Sequence, residues 1–286
     1  MLEAARLGHP KSFLNALPAE LRDAVDRNVD LRPRDLALSR VNWFKFWIRR
    51  AGELNAAELE LHKGFDNDAK KVMAGKRILL FQEILESIGY HDAEAANLLV
   101  EGVPLVGAVP ESGVYPKVFR VAELSVETLK EQAHWFRRGI LERTRSSGDE
   151  ACDAFVWQET LKEVERGWLK GPFSEESLPE SASISRRFGI WQKSKYRCID
   201  DYSASLVNST CTVLESPLLH SVDVSAALID HWVHRLEGQA TQGLLARSFD
   251  LKSAYRQLHL KSEHRSQAFR VFTLSFGWPE QYGTSP

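Results

Sequence analysis

Apolar positions recur at helical spacing through the first part of the chain. Leu36, Val41, Phe44 and Ile48 fall close to one face, with Trp43 and Trp47 four apart beside them. Ile78, Leu79, Phe81, Ile84, Leu85 and Ile88 form a second stripe, which Gly89 can close in a left-handed conformation. Three prolines between Gly102 and Pro116 exclude a regular helix there. Ser125 is placed as an N-cap for a helix to about Arg145. Asp149 is placed to cap the next, ending at Gly167. Residues 1–170 therefore read as a helical region.

The pattern changes after Gly171-Pro172. Residues 171–179 read as a linker rich in acidic and turn-forming residues. Beyond it, 188–191 and 196–202 carry strand-type sequences. Residues 244–251 predict a buried strand, and 268–276 another. An amphipathic helix is expected over 222–236. The fold class expected is α+β, with a boundary at 170/171 and a mixed domain over 171–286.

Composition narrows the class. A chain of 286 residues, 43% hydrophobic and 27% charged, suits a globular protein with about two domains. The net charge of -2 favours no partner, so local charge matters more. Arg186, Arg187, Lys193, Lys195 and Arg197 crowd one stretch without an acid among them. A second run holds Arg247, Lys252, Arg256, Lys261, Arg265 and Arg270, interrupted only by Asp250 and Glu263. Runs of this kind are most often solvated faces. Cys152, Cys198 and Cys211 lack metal-ligand spacing and read as reduced thiols. No apolar run approaches membrane-spanning length, and no membrane partner is expected. An intracellular site, cytoplasmic or nuclear, follows as the expectation.

The chemistry concentrates at Arg247-Ser-Phe-Asp250-Leu251-Lys-Ser-Ala254-Tyr255-Arg256-Gln-Leu258. A carboxylate ending a rigid strand can hold a divalent cation, which prefers hard oxygen ligands, and the Leu251 carbonyl would add another. Read structurally, Asp250 ends a strand or caps the next turn, and Tyr255 is a core residue of the helix that follows. Upstream, Lys193, Lys195 and Arg197 supply cations for phosphate oxygens. Asp200 and Asp201 suit the neutralisation of nearby arginines. Trp168, Phe173 and Trp191 suit packing better than base stacking. Gly75-Lys76-Arg77 lacks the preceding glycine and the hydroxyl of a phosphate-binding loop.

Residues 249–258 resemble the first palm motif of retrotransposon and retroviral reverse transcriptases, and Phe188 to Asn208 resembles their fingers. The resemblance implies an RNA-directed DNA polymerase fragment with partial fingers and palm. It implies that Asp250 is the catalytic metal-binding aspartate and that Leu251 lends its carbonyl to Mg2+, with two ions in a complete site. Tyr255 would be the steric gate against a ribose 2′-hydroxyl. Lys193, Lys195 and Arg197 would contact the deoxynucleoside triphosphate. The implied partners are an RNA or DNA template-primer, deoxynucleoside triphosphates and the remaining polymerase portion of a polyprotein. The Tyr-x-Asp-Asp hairpin of the family does not follow Asp250. Leu274 to Gly277 and Gly283 to Pro286 compete as the second palm motif. The chain alone is therefore expected not to synthesise DNA. The alternatives are a non-catalytic remnant that binds nucleic acid and a helical protein-interaction module.

Overall fold

The computed structural model describes residues 17–92, 94–217, 222–236, 245, 247–251 and 254–271. The helices before the sheet are α1 (Ala19–Asp30), α2 (Pro33–Glu53), α3 (Asn55–Lys63), α4 (Asn67–Met73), α5 (Ile78–Ser87) and α6 (Asn97–Glu101). Strand β1 (Lys117–Arg120) follows, then α7 (Val126–Glu131), α8 (Ala133–Arg143) and α9 (Glu150–Glu165). The remainder holds β2 (Ile184–Gln192), β3 (Lys195–Asp201), β4 (Val213–Glu215), α10 (Val222–Arg235) and β5 (Phe269–Val271). The chain is α+β. Among the described residues no helix is long and apolar enough to cross a membrane.

Local signals set several boundaries. After α5, Gly89 takes φ 61°, its amide reaches the Glu86 carbonyl at 3.0 Å, and the Tyr90 amide reaches the Leu85 carbonyl at 3.0 Å. That bond pair is a Schellman cap, satisfying carbonyls a helix end would leave bare. Ser125 Oγ accepts from the Thr128 amide at 3.0 Å, as its sequence position predicts. The helix it starts is interrupted at Gln132, so α7 and α8 replace one continuous element. Asp149 Oδ1 accepts from the amides of Ala151 and Cys152 and caps α9. The α5 N-terminus has a distant cap. The buried Glu58 carboxylate of α3 accepts from the Ile78 and Leu80 amides at 3.0 and 3.1 Å.

The chain forms two compact units. One comprises residues up to Asn55 together with Pro217–Leu251. In it α1 and α10 are tied by charge: Asp26 Oδ1 lies 2.9 Å from both His231 Nε2 and Arg235 Nε. On α2, Trp47 is buried, while Trp43, Phe44 and Ile48 are exposed. The other unit comprises Ala56–Ser216 and the chain from Lys252. These divisions differ from the composition boundary at 170/171, since α9 and β2 share one unit.

The second unit has two small sheets. Strands β1 and β4 pair antiparallel, and β3-β2-β5 form a mixed sheet with β2 central. β2 pairs antiparallel with β3 and parallel with β5. Phe65, Ala69, Met73 and Ile78 form one buried cluster, and Val106, Leu129 and Val207 another. A bridge between Val103 and Leu260 brings the late segment back to the helical one.

No strand is formed by the described residues of the span 244–251. Its described residues, Leu245 and 247–251, have no ladder partner, and Leu245, Phe249 and Leu251 are 95%, 92% and 73% exposed. Strand propensity needs an adjacent edge to satisfy its amides and an apolar face to cover its side chains. Residues 247–251 have neither. The strand expected over 268–276 is present as β5; residues 272–276, and both candidates for a second palm motif, lie outside the described residues.

Candidate functional site

The cations Lys193, Lys195 and Arg197 share one β-hairpin. Gln192 pairs with Lys195, leaving Lys193 and Ser194 as a two-residue loop. Their φ values are 50° and 61°. Positive φ at both central residues marks the type I′ turn, whose twist matches that of paired strands. Neither residue is the usual Gly or Asn, so the turn holds strain at the tip. All three cations are exposed.

Alternation along the strands gives the hairpin two faces. Lys195 and Arg197 share a face with their partners Gln192 and Ile190, and with Arg186 and Phe188 further along. The Arg186 guanidinium lies 4.7 Å from the Phe188 ring centroid. The opposite face, with Arg187, Gly189, Tyr196 and Cys198, packs on α9. The Tyr196 hydroxyl donates to Asp149 Oδ2 at 2.7 Å, so one carboxylate caps α9 and clips the hairpin. Burial pushes the Cys198 thiol up from its ordinary value and keeps it an inert packing group.

Deeper in, four charges alternate. Arg187 Nη1 lies 2.8 Å from Glu163 Oε2, and its Nε is 3.8 Å from Asp200 Oδ1. Arg256 returns the pattern, with Nε 3.1 Å from Glu163 Oε1 and Nη2 3.2 Å from Asp200 Oδ2. The Arg187 side chain is only 1% exposed. Burial works against its charge, but the hydrogen bond it donates to Glu163 and the charges of Asp200 and Glu163 outweigh burial and raise its pKa. Asp200 thus neutralises arginines, and Asp201 sits 3.9 Å from Arg186. Sequence reasoning named Asp200 as a neutraliser of arginines but missed Arg187 and Arg256 as its partners and Glu163 as the carboxylate that shares them.

Arg256 also lines an apolar cleft of about 1280 Å³, with Trp157, Leu161, Trp168, Phe173 and Tyr202. Tyr255 stands at the same cleft on a 3-10 turn, Ala254–Gln257. It is 93% exposed, so the core-tyrosine reading is corrected: among the described residues its ring is not packed into a core. Trp168 is half-buried beneath Arg166, whose guanidinium lies 5.0 Å from the ring centroid. Phe173 meets Phe269 edge-on at 5.7 Å, and Trp191 meets Tyr196 at 4.8 Å.

Asp250 and Leu251 belong to the other compact unit, on an exposed segment without regular secondary structure. The expected carboxylate at a rigid strand end is corrected here, since residues 247–251 form no strand. Among the described residues no group of three or more His, Cys, Asp or Glu side chains could hold a metal ion. Comparison with protein families, with curated proteins and with solved structures finds no match.

Proposed function

We propose that the chain is part of a retroelement RNA-directed DNA polymerase whose β2–β3 hairpin grips the phosphates of an incoming deoxynucleotide. The observation that carries this reading is the hairpin itself. It sets Lys193, Lys195 and Arg197 in solvent at the end of a strand pair braced on α9. Arg197 offers a planar fork to phosphate oxygens, while the lysines act as point charges. Tyr255, exposed at the apolar cleft, has a free ring for the sugar and base. A template-primer of RNA or DNA and the rest of the polymerase are the partners this reading requires.

Magnesium is the cofactor this reading implies. Asp250 and the Leu251 carbonyl are hard oxygen donors of the right kind. Two-ion phosphoryl transfer needs further carboxylates, and the described residues do not gather such a group. They do not by themselves fit the two ions, and no transfer step is assigned to them. Binding is what these residues supply.

The same observations favour a second reading, a nucleic-acid-binding remnant without catalysis. One experiment separates them. The full chain is titrated with a deoxynucleoside triphosphate and with labelled template-primer, beside a variant carrying Lys193→Gln, Lys195→Gln and Arg197→Gln. The polymerase reading expects triphosphate affinity to fall about tenfold or more in the variant. Loss confined to template-primer supports the remnant. Unchanged affinity for both ligands would sink the two readings together.

A further inference from the structure

A second pocket of about 350 Å³ lies away from the hairpin tip, lined by Lys76, Arg166, Trp168, Arg256 and Gln257. No carboxylate belongs to that lining. Its three cations come from the α4–α5 connection, the turn after α9 and the turn that carries Tyr255.

The cations keep donors to spare. Arg256 commits Nε to Glu163 and Nη2 to Asp200, and its Nη1 has no partner among the described residues. Those carboxylates also face Arg187, so the four charges balance among themselves. Lys76 gives one donor to the Val72 carbonyl and has no ion pair among the described residues. Arg166 has none either; its guanidinium lies over the Trp168 ring. Lys71 adds charge nearby, because its stem covers Gly167, where a Cβ would come within 2.9 Å of Lys71 Cδ. Desolvation lowers the Lys76 pKa from 10.5, the response of an ammonium group without a counter-ion.

From this geometry we propose that Lys76, Arg166, Trp168 and Arg256 form a site for a nucleotide phosphate. Lys76 and Arg166, without an ion pair among the described residues, focus potential on an anion, and Arg256 adds a donor edge. Guanidinium forks match phosphate oxygens, and a half-buried indole offers the planar surface on which a base stacks. A carboxylate ligand would use the cations but leave the indole idle, so an acidic peptide fits less of the pocket. The site needs neither the hairpin nor a metal ion and does not depend on the polymerase reading.

The test uses the full chain and a fluorescein-labelled oligothymidylate, with binding followed by anisotropy across a salt series. Lys76→Gln with Arg166→Gln is expected to weaken binding about tenfold and to lower the slope of log K against log salt by about one. Trp168→Leu is expected to cost about fivefold or more. Arg166→Lys is expected to recover part of the loss. Arg166 is exposed and has no carboxylate partner among the described residues, so Arg166→Gln alone leaves the fold intact and decides the matter if the double variant unfolds. The same losses should persist when Lys193, Lys195 and Arg197 are already glutamine, which separates this site from the hairpin. Free deoxythymidine triphosphate displaces the oligonucleotide if the site takes mononucleotides; without displacement, the source is the polynucleotide backbone. Unchanged affinity and slope in the Arg166 and Lys76 variants would overturn the site. So would displacement by polyglutamate as effective as displacement by oligothymidylate.

Discussion

A Cβ placed on Gly189 would come within 2.4 Å of Cys152 Sγ and 3.1 Å of Val156 Cγ2. The hairpin therefore touches α9 through bare backbone, and the helix approaches β2 more closely than any side chain permits. Gly189→Ala has no vacant space to enter. Overpacking of this kind costs about 1–3 kcal/mol. The variant should unfold at lower denaturant than the parent, and Cys152→Ala should restore part of the loss by removing the clashing sulfur. Thermal melting of the two single variants and the double variant checks this. Additive losses would mean that the two residues do not meet.

Glu163 holds two arginines at once, one of them buried. Glu163→Gln leaves Arg187 with Asp200 alone, at 3.8 Å. Breaking a buried ion pair from one side costs about 3–5 kcal/mol, because the abandoned charge stays desolvated. Arg256→Gln should cost much less, since its side chain is 25% exposed. Urea denaturation of both variants should rank them in that order. Equal losses would show that Arg187 is not the strained partner.

These contrasts show which features a sequence carries openly. Asp149, Ser125 and Gly89 act on amides or carbonyls a few residues away, so residue type and spacing suffice to place them. The charge quartet joins residues far apart in the chain: Arg256 reaches Glu163 across 93 positions and Asp200 across 56. Nothing in the local pattern of 150–165 marks Glu163 for that task. The segment around Asp250 fails differently. Its apolar, β-prone residues suit a strand, but a strand forms only where another edge accepts it, and residues 247–251 find none. The hairpin cations were legible as a basic cluster without an acid among them, beside strand-type segments at 188–191 and 196–202. The pocket at Trp168 was not, because its cations come from three separate segments.

His264 makes the second unit sensitive to acid. Its Nδ1 accepts the Leu105 amide at 3.1 Å, so the ring proton sits on Nε2 and protonation of Nδ1 would break the bond. Burial lowers its pKa below the ordinary 6.5; Glu263 pulls the other way, and Lys130 and Lys261 add to the lowering. The unfolded chain takes the proton first. Its stability contribution is therefore complete above about pH 6.5 and shrinks as pH falls from there toward the folded value. Parent melting temperature should drop between pH 7.5 and 5.5 by more than that of His264→Gln. An identical drop in both would remove His264 from the cause.

Asp66 works in the same direction at lower pH. Arg265 meets both of its oxygens, Nη2 to Oδ2 at 2.8 Å and Nη1 to Oδ1 at 3.1 Å, and Oδ1 also caps α4. The Arg265 hydrogen bond, with the Ala69 and Asp68 amides and against burial, holds the carboxyl well below the usual carboxylate range. Its contribution is present above about pH 4 and is lost as pH falls toward the folded pKa. Asp66→Ala should cost about 1 kcal/mol for the cap alone at neutral pH. Asp66→Asn retains a capping oxygen and should fall between parent and alanine. A neutral-pH melt that fails to order the three would count against the double role.

Strain at the hairpin tip bears directly on the proposed phosphate grip. Lys193 and Ser194 both hold positive φ, where an L side chain crowds its own backbone. Ser194→Gly removes that crowding and leaves every cation in place. It should raise stability by about 1 kcal/mol or somewhat less, the gain being trimmed by the greater freedom of glycine in the unfolded chain. If the turn only carries Lys193, Lys195 and Arg197, triphosphate affinity should be unchanged while the melting temperature rises. A rise in stability accompanied by lost affinity would mean that the strained geometry itself aims the cations. The two measurements on one purified variant, a thermal melt and a nucleotide titration, separate support of the hairpin from its grip on phosphate.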